Sequence, residues 1–66
     1  MKVENTLYTE THGKNPKGTA RWLFNIGRRG AWTLFDCLYE MPLSEAKKLA
    51  IREARALGAD RIQVAA

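Results

Sequence analysis

Between Thr19 and Leu38 the chain reads as two alternating runs joined by Gly27-Arg28-Arg29-Gly30, a pattern that looks like a β-hairpin. In the first run Ala20, Trp22, Phe24 and Ile26 fall on one side, and Arg21, Leu23 and Asn25 on the other. With Arg28 and Arg29 as the loop, Gly27 faces Gly30 and the register follows. Trp22 then stands opposite Phe35, Phe24 opposite Thr33, Ile26 opposite Ala31 and Ala20 opposite Cys37, while Arg21 meets Asp36 on the other face. A one-residue slip would send the whole apolar set to the wrong face, so this parity is strongly specified.

The flanking segments complete a small domain. Val3 to Thr11 has the Val, Tyr and Thr content of a first strand, and Gly13-Lys14-Asn15-Pro16-Lys17-Gly18 is a loop. Met41-Pro42-Leu43-Ser44-Glu45-Ala46 predicts a helix start, with Ser44 as the cap and Glu45 favoured by the helix dipole. The helix runs to about Leu57. Ala46, Leu49, Ala50, Ala54 and Leu57 make its apolar stripe, and Gly58 supplies the left-handed residue that ends it. Arg61 to Ala65 alternates again, with Ile62 and Val64 inward. The expected fold is a two-layer α+β domain over residues 1–66, an antiparallel sheet of three to four strands packed on one helix in the order β-β-β-α-β.

Composition narrows what such a domain does. A 66-residue chain has a thin core. One cysteine, Cys37, cannot form an internal disulfide, and with the single His12 it cannot build a Cys/His zinc site. No metal or cofactor is expected, and the cysteine usage fits a reducing cytoplasm. There is no signal-like stretch near Met1 and no apolar run of about 18 residues, so no membrane role is expected. Nothing in the chain pairs a nucleophile with a base or matches a phosphate loop, so an enzyme is not expected. Cys37 reads as a small buried apolar residue. Eleven Lys and Arg against seven Asp and Glu give a net charge of +4, compatible with a polyanionic partner.

One helix covers one face of a sheet, which leaves the other as the candidate binding surface. It carries Arg21, Leu23, Asn25, Trp32, Leu34, Asp36 and Leu38, more apolar area than a solvated face normally shows. Either this is a platform centred on Trp32, or a bulge in the third strand returns Trp32 or Leu34 to the core. Basic residues cluster in the first loop (Lys14, Lys17) and at the hairpin (Arg28, Arg29), at opposite ends of the second strand, where they either grip phosphates or keep the loops soluble. Lys48, Arg52 and Arg55 make a helix stripe diluted by Glu45 and Glu53.

From Arg21 to Ala50 the chain resembles the three-strand-plus-helix DNA-binding domains of plant ethylene-response factors and phage integrase arm-binding modules. The likeness rests on Arg21-Trp22 with Ile26, a turn, Trp32 on the next strand, and Ser44-Glu45-Ala46 opening an alanine-rich helix. It implies DNA contacts by Arg21, Trp22, Arg28, Arg29 and Trp32. Asp36-Cys37-Leu38 followed by Leu43-Ser44-Glu45-Ala46 is similar in layout to HicB-type antitoxins. Two functions are therefore expected in turn. The first is a non-enzymatic nucleic-acid-binding module, DNA before RNA, using Lys14, Lys17, Arg21, Asn25, Arg28, Arg29 and Trp32. The second is a protein-interaction module, an inhibitor, adaptor or antitoxin of mobile-element type, binding a partner or a second copy through Leu23, Trp32, Leu34 and Leu38.

Overall fold

The structure, a computed structural model, describes residues 2–65. Its elements in chain order are β1 (Val3–Glu4), α1 (Thr6–His12), β2 (Thr19–Ala20), β3 (Leu23–Arg28), β4 (Ala31–Asp36), β5 (Met41–Pro42), α2 (Leu43–Leu57) and β6 (Arg61–Val64). Four strands form one sheet in the order β1-β6-β3-β4, and β2 pairs with β5 in a separate two-stranded sheet. The domain is α+β, with helices packed on one side of the main sheet.

The core joins large side chains from the sheet to small ones from the helix. Trp22, Phe24, Ile26, Ile62 and Val64 are fully buried, and Ala46, Ala50 and Ala54 of α2 meet them. Alanines at i, i+4 and i+8 form a flat stripe, so the helix seats close to the sheet and the aromatic residues fill the gap. Gly58 (φ 69°) ends α2 as expected, its N–H donating to the Ala54 and Arg55 carbonyls. Ile62 and Val64 point inward, also as expected.

Several expectations are corrected. The segment Val3–Thr11 is not one strand: β1 stops at Glu4 and the chain turns helical. Its threonines carry β-propensity, but the apolar spacing is helical. Tyr8 stacks on His12 at 4.0 Å, Tyr8 also lies 5.8 Å from the Trp22 ring, and the Thr11 hydroxyl donates to the Leu7 carbonyl one turn back. Tertiary packing of Tyr8 on Trp22 overrides local propensity. A second helix therefore joins the one expected. The sheet is mixed rather than antiparallel, because β1 runs parallel to β6, with Val3 beside Ile62.

The hairpin register moves by two. Arg28 pairs with Ala31, Phe24 with Phe35, Ile26 with Thr33 and Gly27 with Trp32, leaving Arg29 and Gly30 as the turn. Both have positive φ, 51° and 80°, as a primed two-residue turn requires. Looping Arg28 and Arg29 would force two side-chain-bearing residues into that region, whereas the observed turn strains only Arg29 and puts Gly30 where glycine fits. Because the shift is even, the faces are unchanged and no bulge interrupts the six pairs.

The run Thr19–Ile26 is also split. Ala20 pairs with Met41 in the small sheet, not with Cys37, and Trp22 follows as a hinge residue whose indole N–H donates to the Met41 carbonyl at 3.1 Å. The third expected strand stops at Asp36. Leu38 adopts φ 70°, its N–H held by the Asp36 carboxylate at 2.8 Å, so it lies in a turn beyond the sheet. Helix α2 starts at Leu43 with Pro42 at its N-cap, and no side chain, Ser44 included, caps it. Leu49, expected inward, is 38% exposed at the rim.

Candidate functional site

Residues of even number in β4 and odd number in β3 and β6 face away from the helices. Among the described residues both helices lie on the Phe24 side, so this face is open. It bears Leu23, Asn25 and Gly27 from β3, Trp32, Leu34 and Asp36 from β4, Arg61 and Gln63 from β6, and Glu4 from β1. Trp32 is 45% and Leu34 61% exposed, while Leu23 and Asn25 are half-buried between neighbours.

One row crosses the whole sheet. Gly27 pairs with Trp32 on one side and with Arg61 on the other. A Cβ at Gly27 would stand 2.9 Å from the Trp32 ring, so the missing side chain is what lets the indole lie down across β3. The Arg61 guanidinium then sits 5.0 Å from the indole centroid, in cation–π range. Its other side is held by Glu4 through two hydrogen bonds of 3.0 and 3.1 Å. A shallow cleft of about 290 Å³ opens beside this row, lined by Gly27, Gly30, Ala31, Trp32, Asp60 and Arg61.

A second fork lies at the far end of the face. Arg21 Nε donates to Asp36 Oδ1 at 3.0 Å and its Nη2 to Oδ2, so the ion pair expected from sequence forms. It survives the register shift because the arginine is long enough to reach diagonally past Leu23. Asp36 is held below its ordinary carboxylate range by the Arg21 hydrogen bond and then by the Leu38 N–H, and Glu4 is lowered by Arg61. Both guanidiniums are correspondingly raised. The two carboxylates and two guanidiniums cancel, so the open face presents apolar area with internally neutralised charge.

The remaining expected residues lie off this face. Lys14 and Lys17 are exposed in the loop between α1 and β2. Arg28, at the end of β3, points to the helix side, where its Nε lies 4.0 Å from the position of a Cβ at Gly58, close to the C-terminus of α2. Arg29 is exposed in the turn. Leu38, 62% exposed, and Tyr39, 73% exposed, extend apolar area past the end of β4. Trp22, to which the DNA-binding resemblance gives a DNA contact, is buried. Burial, and then the Asp36 charge, push the Cys37 thiol up, so it is a poor nucleophile at neutral pH. Among the described residues no cluster of three or more His, Cys, Asp or Glu is placed to hold a metal, and no helix is long and apolar enough to cross a membrane.

Sequence reasoning missed Glu4, Gly27, Arg61 and Gln63. Arg61 and Gln63 follow from the alternation that sent Ile62 and Val64 inward. Glu4 had no such signal, since its place depends on pairing two ends of the chain. No family model matches the chain, and no curated protein or solved structure matches it either.

Proposed function

We propose that this is a polypeptide-binding module whose open sheet face, centred on Trp32 and Leu34, receives a protein partner. The observation that carries this reading is the pairing of Arg21 with Asp36 and of Arg61 with Glu4. A phosphate backbone needs unpaired cations, whereas a protein interface favours exposed aromatic and aliphatic anchors beside charges that already have partners. Trp32, packed against Gly27 and Arg61, is the rigid anchor, because little side-chain freedom remains to be lost on binding.

Nucleic-acid binding is the second reading. Among the described residues Lys14, Lys17, Arg28 and Arg29 take part in no ion pair, which favours it. One comparison separates the two. Peptides selected from a displayed library against the immobilised protein should lose about 30-fold in affinity on Trp32→Ala, the loss of a hot-spot residue, and keep their affinity in Arg28→Glu with Arg29→Glu. Salt-sensitive binding of a short duplex DNA, abolished by the double charge reversal and indifferent to Trp32→Ala, would overturn the polypeptide reading.

A further inference from the structure

We infer that the free β4 edge is completed by a second copy of this chain, added edge to edge to continue the sheet through a two-fold axis. It goes beyond the open-face reading, because a copy added in the plane of the sheet lengthens that face and leaves it uncovered.

The two edges of the sheet differ in kind. The β1 edge is two residues long and carries Glu4, and short charged edges resist further pairing. The β4 edge is six residues long, Ala31–Asp36, with no charge before Asp36, no proline and no bulge. Among the described residues nothing pairs with its outer side. The Cys37 N–H donates to the Trp22 carbonyl, which makes that a hydrogen-bonded pair of the β3–β4 ladder. By alternation Thr33 and Phe35 also turn their backbone groups toward β3, and Trp32, Leu34 and Asp36 turn theirs outward. The free backbone groups therefore belong to the residues whose side chains lie on the open face.

Charge and shape select an antiparallel copy. The start of β4 adjoins Arg28 and Arg29, and beyond its end lies Glu40, the charge of Asp36 being cancelled by Arg21. Antiparallel self-pairing turns Arg28 and Arg29 of one chain toward the Glu40 end of the other, whereas parallel pairing would set the two arginine pairs side by side. A two-fold axis at Thr33 lets the outward groups meet as hydrogen-bonded pairs, since it places Trp32 opposite Leu34 of the partner subunit. It also places Thr33 beside its own copy and half-exposed Phe35 opposite the partner subunit's Ala31. Moving the axis one residue to Leu34 would face Trp32 with a carboxylate, so the Thr33 axis is the complementary one.

Sedimentation equilibrium tests this with the wild-type chain. The expected result is a mass rising from 7.5 kDa toward twice that value, with a dissociation constant in roughly the micromolar to tens-of-micromolar range of small interfaces. Leu34→Lys, whose N–H is outside the intramolecular ladder, should weaken association at least tenfold while circular dichroism reports an intact fold. In a Cys37→Ala background Thr33→Cys should cross-link to its own copy under mild oxidation, because non-hydrogen-bonded antiparallel neighbours bring Cβ atoms to about 4.5–5.5 Å. A chain that stays monomeric up to about 0.5 mM, or a dimer indifferent to Leu34→Lys that does not cross-link through Thr33→Cys, overturns the edge pairing. If peptides still bind the Trp32 face in that case, only the second copy is lost. Duplex DNA bound in their place removes the open-face reading itself.

Discussion

The two faces of the main sheet are made from alternate residues of the same strands, and they hold together by different physics. On the covered face, large sheet residues meet three helix alanines with almost no exposed surface, so stabilisation there comes from apolar burial and close packing. On the open face the side chains form a thin layer of lateral contacts: Trp32 lying over Gly27, Arg61 between Trp32 and Glu4, and Arg21 forked to Asp36. Exposed ion pairs and a half-exposed indole contribute little to folding. They do order the side chains, and an ordered surface loses less entropy when a partner arrives. A thin chain thus places its stability on one side and leaves the other uncovered.

The sharpest way to break this contrast is truncation on each side. Phe24→Ala should cost about 3–5 kcal/mol, most of a total stability of roughly 3–10 kcal/mol for a chain this long, and leave the protein largely unfolded in urea titrations. Leu34→Ala, at low protein concentration, should stay within about 0.5 kcal/mol of wild type. Equal losses in the two variants would mean that the faces are not energetically distinct. Next in size is Ala50→Leu, which wedges the helix off the sheet and should cost about 1–3 kcal/mol. A neutral outcome would show slack between α2 and the sheet.

Gly27→Ala sharpens the comparison from the other side. The new methyl group pushes the distal ring of Trp32 off β3, and because that ring is at the surface the stability loss should be about 1 kcal/mol or less. The readout is the Trp32 indole resonance and the ring-current shift of the Arg61 side chain, both of which should move. Unchanged spectra would mean that the indole does not rest on Gly27.

The smallest expected effect is an acid limb. Asp36 and Glu4 are depressed in the folded state, so their contribution is complete above the ordinary carboxylate range near pH 4 and is lost as pH falls through the lower folded values. Thermal unfolding should be flat from about pH 7 to 5 and decline below about pH 4, with a shallower decline in Asp36→Asn combined with Glu4→Gln. An unaltered acid limb in that variant would place the sensitive carboxylates elsewhere.

Much of the covered face was legible in the order of residues. Alternation across 19–26 and 61–65 places Trp22, Phe24, Ile26, Ile62 and Val64 inward, and period-four alanines with a closing glycine define α2. Much of the open face was legible as well, since parity survives an even shift of register. What was not legible depended on partners far along the chain. Segment 6–12 became helical because Tyr8 could pack on Trp22, and Ala20 left the hairpin for Met41.

The sequence by itself determined the inward set Trp22, Phe24, Ile26, Ile62 and Val64, where α2 ends, and the parity that puts Trp32, Leu34, Arg21 and Asp36 on one side. These properties follow from periodicity, which local chain geometry converts directly into sidedness. Only the tertiary structure decided the two-residue turn at Arg29-Gly30, the parallel pairing of β1 with β6, and the row from Glu4 through Arg61 to Trp32. Each joins groups whose meeting depends on how separate segments dock, and on a glycine whose value lies in the space it leaves for a tryptophan on another strand.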